Sequence, residues 1–162
     1  MQVSATNGGT MELIGTGRVY VHFLVMSNEL NTPKVVFCPA ESNPKRRAAW
    51  TFNSTTPPGV QYQNAIPFTN DDSVSYFVGV DAVGTSPQIF LAGDDNWTVG
   101  GLPRKRGVLS IWTNTPVAWT KKRHVNQGNI ALADGSVQGF SSAKLREAIA
   151  NSGNATNRIA FP

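Results

Sequence analysis

Asn129-Ile130-Ala131-Leu132-Ala133-Asp134-Gly135-Ser136-Val137-Gln138-Gly139-Phe140 reads as two short strands joined by a tight turn. Asp-Gly accepts positive φ at both centres of a type I′ turn, and apolar residues alternate on either side of it. In that register Leu132 faces Val137 and Ala131 faces Gln138, which makes one face of the hairpin apolar and the other more polar. A slip of one residue would turn Leu132 outward. Just downstream, Ser141 or Ser142 can cap a helix running from Ala143 to about Asn151, with Leu145 and Ile149 on one face and Gly153 beyond its end. Residues 157–161 read as a last edge strand.

Upstream of the hairpin, Ser75–Asp81, Gln88–Ala92, Val108–Trp112 and Val117–Trp119 are short, β-branched or aromatic runs bounded by Gly, Pro, Asn or Asp. Each reads as a strand. Lys34–Cys38 reads as a buried strand that Pro39 ends. Val19, Phe23, Met26 and Leu30 recur at helical spacing and predict a helix over 19–30, although Val19, Val21, Phe23 and Val25 also alternate as a strand would. Residues 1–18 read as loop, with a short strand at Met11–Ile14. Residues 39–73 carry Pro39, Pro44, Pro57, Pro58 and Pro67 and form a long irregular stretch, a place to expect partner contacts. The fold class expected is α+β, a single domain over 1–162: one antiparallel sheet of short strands with packed helices.

The composition agrees with turn-rich β structure. Charged residues make up 15% of the chain against an ordinary share of about 25%. The lone cysteine, Cys38, lies in an apolar run and reads as a small buried core residue. No stretch reaches the ~18 to 20 apolar residues that span a bilayer, and none has the pattern of a signal peptide. The formal net charge is +4, and nine of the fourteen basic residues fall in three triplets, Lys45-Arg46-Arg47, Arg104-Lys105-Arg106 and Lys121-Lys122-Arg123. Turn-forming neighbours place each triplet in an exposed loop or strand end. With Trp50, Trp112 and Trp119 close by in sequence, the triplets suggest contact with DNA or an anionic polysaccharide. Trp112 and Trp119 lie in strands, however, and read as core.

Enzymatic readings find little support. His124, Asp134 and Ser136 could be imagined as a hydrolase triad, but Asp134 is a turn residue whose carboxylate faces solvent. There is no Gly-x-Ser-x-Gly elbow and no phosphate-cradling glycine loop. His124 reads instead as fixing the entrance to the hairpin by a backbone hydrogen bond. Zinc is not expected, because Cys38, His22 and His124 show no ligand spacing. Asp94-Asp95-Asn96 and Asp71-Asp72 offer loop oxygens of the kind calcium uses, without the alternating ligand ladder of a dedicated site.

The segment from His124 to Ser136 resembles the signature of pseudopilin-like proteins: a histidine, nine residues, then Asp-Gly, here His124, Asp134 and Gly135. These proteins are abundant in Verrucomicrobia and Planctomycetes. Val36-Phe37-Cys38-Pro39 is similar to the family's strand end at Cys38 and Pro39, and Ser75–Gly79 to the strand that follows. Val25–Leu30 and Gly128–Leu145 look like the verrucomicrobial branch, and the likeness covers most of 19–150. The resemblance implies a globular head of helix packed on antiparallel sheet, with His124, Asp134, Gly135, Cys38 and Pro39 as structural determinants and no enzymatic activity. It further implies a structural subunit of a type II secretion or type IV pilus-like assembly. That subunit would be anchored in the inner membrane by an N-terminal apolar helix missing from this stretch, with its head on the periplasmic or outer face. Its partners would be other pseudopilin or secretion-system subunits met through that helix, and the head by itself would be monomeric. Major pseudopilins of type II secretion bind calcium in a loop near the C-terminus, but those ligands do not map residue by residue onto this sequence, and the expectation of a calcium ion near Asp94 and Asp95 rests on their loop oxygens alone.

Overall fold

The computed structural model describes residues 1, 3–53 and 67–162. The architecture is α+β and mostly antiparallel. Its larger sheet is built from β1 (Tyr76–Gly79), β2 (Phe90–Asp94), β5 (Gly107–Trp112), β7 (Gln127–Leu132), β8 (Val137–Ser141) and β9 (Thr156–Phe161), in the order β5-β9-β1-β2-β7-β8. A second, three-stranded sheet joins β4 (Leu102–Pro103), β3 (Trp97–Val99) and β6 (Val117–Trp119), with β3 in the middle. The sequence reading of a single sheet is corrected on this point. Trp97 and Trp119 are register partners in the small sheet, their rings edge to face at 5.5 Å.

Each face of the larger sheet is apolar because side chains alternate along a strand. Phe77 joins a core with Trp97, Trp119, Ile130, Leu132, Phe140, Leu145 and Ile149, whereas its neighbour Val78 joins a second core with Val19, Phe23, Val36, Phe68 and Val74. Helix α3 (Ser142–Ala150) covers the first face, packed on β6 and β8. Its N-cap is Ser141, whose hydroxyl accepts the Lys144 N–H at 3.2 Å, as the sequence leads one to expect. The segment at 157–161 is not an edge strand. β9 lies between β5 and β1, with Ile159 and Phe161 in one core and Ala160 in the other.

The N-terminal half differs more from its sequence reading. Met11–Thr16 and Pro33–Val36 are 3-10 helices rather than strands. The Thr32 hydroxyl accepts the Lys34 N–H, Pro33 starts the turn, and Val36 is buried while Val35 is exposed; among the described residues no strand pairs with this run. The expected helix over 19–30 breaks into α1 (Tyr20–Leu24) and α2 (Ser27–Leu30). No helix among the described residues is long and apolar enough to cross a membrane. Part of the long irregular stretch expected over 39–73, residues 54–66, lies outside the described residues.

The hairpin forms, but one residue out of the expected register. Ala131 faces Val137 and Ile130 faces Gln138. Gly135 N–H donates to Leu132 O at 2.9 Å and Leu132 N–H to Ser136 O at 2.9 Å, so the loop holds three residues, Ala133, Asp134 and Gly135. Only Gly135 needs positive φ, at 84°, which is the geometry of a type I turn closed by a glycine bulge. Leu132 still faces the core, and Val137 takes the outward position, 68% exposed.

Candidate functional site

Two adjacent carboxylates at the end of β2 organise the polar interior. Asp94 and Asp95 are both buried, and as neighbours in an extended chain they point to opposite sides. Asp95 is met by one arginine from each basic triplet. Its Oδ2 accepts from Arg46 Nη1 at 2.7 Å and from Arg104 Nη2, and its Oδ1 accepts from Arg123 Nη2. Glu41 completes the cluster, 3.2 Å from Arg46 and 3.6 Å from Arg123. Arg46 Nη2 also donates to the main-chain oxygen of Pro162 at 2.8 Å, and Arg123 Nη1 to Ser75 O at 3.0 Å. Burial opposes the charge on Glu41, but Arg123, the Asn43 N–H and Arg46 outweigh it and hold its carboxyl below the usual range. Burial first, then Arg46 and Arg106, pull the Arg104 guanidinium downward.

This cluster corrects one expectation. The triplets are not simply exposed loops: Arg46 and Arg123 side chains are 4% exposed and Arg104 is 13% exposed. Their long separations in sequence gave no hint of a shared partner. Lys45, Arg47, Lys105, Arg106, Lys121 and Lys122 remain outside, with Arg106 paired to Asp72 at 2.5 Å. Asp94 and Asp95 point to opposite sides and meet different partners. The Asp95 oxygens are taken by three guanidiniums, and Asp94 turns to a different set of neighbours.

Asp94 faces Cys38 and His124. The His124 Nε2 atom lies 3.4 Å from Asp94 Oδ1 and 3.4 Å from Cys38 Sγ, and one ligand atom from each of the three residues falls within 4.8 Å of the others. The Asn129 N–H donates to the other carboxylate oxygen, Oδ2, at 2.7 Å and so fixes the orientation of Asp94. Cys38 is buried, as its sequence neighbours suggest, and the His124 side chain is 32% exposed beside a cleft of about 360 Å³ lined by Val125, Gln127, Gly128, Asn129 and Gly139. Tyr76, the cross-strand partner of Asp94, stands next to the group. Burial, and then Cys38 and Asp94, push its phenol above the ordinary value.

The loop that presents His124 is strained. Arg123, Val125 and Asn126 have φ of 61°, 50° and 62°, a region that a β-branched residue such as Val125 seldom enters. Each such residue costs on the order of 1–3 kcal/mol and persists only where its surroundings hold it. Those surroundings are the Asn126 N–H to Thr120 O, the Asn96 amide to Lys122 O, and the two polar clusters that receive Arg123 and His124 on opposite sides. His124 is thus held at the entrance to the hairpin by side-chain contacts, and among the described residues it makes no backbone hydrogen bond of the kind its position suggests.

Asp134 lies at the far end of β7 from His124, where its Oδ1 accepts the Ser136 N–H at 2.8 Å. The His124, Asp134 and Ser136 set is thus not assembled. Cys38, His124 and Asp94 do not form a relay either. Both contacts use the same ring nitrogen, whereas a nucleophile, base and orienting carboxylate use the two nitrogens in turn. Among the aromatics beside the triplets, Trp119 is buried, Trp112 is 56% exposed rather than core, and Trp50 lies under the Lys34 ammonium at 4.4 Å. Pro39 is exposed at the turn that follows Cys38.

Set against known family models, curated proteins and solved structures, the chain finds no match in any of the three.

Proposed function

We propose that the chain is the globular head of a pseudopilin-like subunit, a non-catalytic building block of a type II secretion or type IV pilus-like assembly. One observation carries this reading: the defining residues of the signature, His124, Asp134 and Gly135, and Gly128 and Leu132 between them, each have a place in holding the fold. His124 ties the loop before β7 to the end of β2 and to Cys38. Gly128 lets β7 pass the Trp119 ring, Leu132 enters the core, and Asp134 and Gly135 shape the turn. A motif deployed in this way specifies architecture, which is what a display head needs. Such a head meets its partner subunits through an N-terminal apolar helix and stands on the periplasmic side of the inner membrane.

The test is fractionation of the full gene product in its native host. Residence in the inner membrane, with the head open to protease from the periplasmic side, is the expected result. A native product that begins at residue 1 and stays in the cytosol overturns the proposal.

A second reading draws on the convergence of the triplets. Arg46, Arg104 and Arg123 meet at Asp95 and, with Arg106 and Lys122, line one open cleft of about 360 Å³, one or two basic residues coming from each triplet. Arg46 Nε, Asn96 Oδ1 and Thr120 Oγ1 lie buried along it without a protein partner among the described residues. This favours an anionic polymer such as DNA or an acidic polysaccharide. Retention on heparin that falls steeply with salt would support that reading, and flow-through at low salt would remove it.

A further inference from the structure

We propose that Cys38, His124 and Asp94 bind a divalent transition metal, zinc foremost, through Sγ, Nε2 and Oδ1. The first argument is geometric. With Zn–S near 2.3 Å and Zn–N and Zn–O near 2.0 Å, tetrahedral coordination sets ligand atoms about 3.6 Å apart for S and N and about 3.3 Å apart for N and O. The corresponding distances here are 3.4 Å and 3.4 Å. Two of the three ligand separations thus match tetrahedral coordination, and the third pair of ligand atoms lies within 4.8 Å.

The second argument concerns hydrogen bonding. One ring nitrogen can offer a single proton, yet Nε2 faces both a thiol and a carboxylate oxygen. Among the described residues Oδ1 of Asp94 has no N–H or O–H neighbour besides that imidazole, although the residue is only 2% exposed. A buried carboxylate is ordinarily paired or on a metal. A cation at the common focus satisfies all three atoms together. The Asn129 N–H on Oδ2 then acts as the outer contact that aims the ligating carboxylate, a recurrent feature of metal centres.

The donor set indicates which metal. One thiolate, one imidazole and one carboxylate are borderline ligands suited to zinc and poorly suited to calcium or magnesium, which take oxygen donors. Three protein ligands leave the fourth position to solvent, on the side where His124 borders its cleft. The ion would clamp three distant segments: the chain after the 3-10 helix at Pro33–Val36, the end of β2, and the strained loop before β7. This inference does not rest on the pseudopilin-like reading.

Reduced protein is loaded with Zn²⁺, desalted, and its metal content measured; one ion per chain is expected. Co²⁺ in place of Zn²⁺ should give a near-ultraviolet thiolate charge-transfer band with intense visible bands of tetrahedral cobalt. His124→Gln, at a partly exposed side chain, should weaken Zn²⁺ binding by more than ~100-fold, beyond what loss of an outer contact produces. The rise in melting temperature with Zn²⁺ should vanish with it. Cys38→Ser should abolish the charge-transfer band, while His22→Gln should bind as the parent does. Substoichiometric zinc, cobalt spectra without a thiolate band, or unchanged affinity in His124→Gln would each overturn the proposal.

Discussion

Replacing Asp95 with asparagine should be among the most damaging single-atom changes available to this protein. The carboxylate is fully buried and is the common acceptor of Arg46, Arg104 and Arg123. In the native cluster three guanidiniums face two carboxylates, Asp95 and Glu41. In Asp95→Asn three face one, and an amide must stand where two acceptor oxygens received three charged donors. Breaking a buried ion cluster by removing one partner costs about 3–5 kcal/mol, because the charges left behind stay desolvated. Total stability for a domain is only about 5–15 kcal/mol, so this is a large fraction of it. At roughly 2–4 °C per kcal/mol for a chain of this size, the melting temperature should fall by about 6–20 °C.

Urea titration of parent and variant measures the loss directly, read from the midpoint at unchanged slope. Molar salt provides the discriminating control. A buried cluster is screened little, so the deficit should persist, whereas Asp81→Asn, which breaks a pair to Arg158 that is 50% and 25% exposed, should cost at most ~1 kcal/mol and should matter less in salt. A loss below ~1 kcal/mol for Asp95→Asn, or one that molar salt erases, would refute the argument that this cluster holds the loops together.

Gly135→Val should cost on the order of 1–2 kcal/mol, because φ at this residue is 84° and no atom lies near the added Cβ, so the cost is backbone strain alone; an unchanged melting curve would remove the turn assignment. Gly128→Ala should cost about 1–3 kcal/mol for a different reason, since its Cβ would stand 2.6 Å from the Trp119 ring, and tryptophan near-ultraviolet dichroism should change with it. His22 is buried, with Nδ1 2.8 Å from the Thr10 hydroxyl and Nε2 without a protein partner among the described residues, and burial pulls its pKa from 6.5 to about 4. The unfolded chain then binds the proton more readily, so stability is full above 6.5 and falls as pH drops toward 4, by roughly 3 kcal/mol in total. His22→Gln should flatten the denaturation midpoint across that window; a profile identical to the parent's would show that His22 is not the group responsible. Glu41, whose pKa is lowered, contributes stability above its usual value of 4.5 that is lost only at still lower pH, which separates the two effects.

The C-terminal half was legible in the amino-acid order because its signals are local. Val117–Trp119 forms β6 with the expected ends, the serine cap and the Leu145 and Ile149 face fall where periodicity puts them, and Asp134-Gly135 makes a turn. Alternation, capping and turn chemistry act over a few residues, and no distant partner is needed to read them. Turn type was harder, since a tight I′ turn and a bulged type I turn use the same dipeptide and differ by one residue in register. Short apolar runs in the first half were ambiguous for a related reason: Lys34–Val36 satisfies either period, and packing of Val36 beneath the sheet decided for the 3-10 turn.

The polar sites belong to tertiary structure alone. The sequence places Arg46, Arg104 and Arg123 in three separate triplets, and Cys38 eighty-six positions from His124, with nothing in composition or spacing to join them. Strand pairing brings Ser75 and Asp95 together, β9 enters the middle of the sheet, and the strained loop at 123–126 turns Arg123 to one aspartate and His124 to the other. Local order could name the elements and the residues able to carry charge or bind an ion. Which of them share a buried partner was decided only when the sheet closed, because a charge leaves water where its counter-charge is waiting.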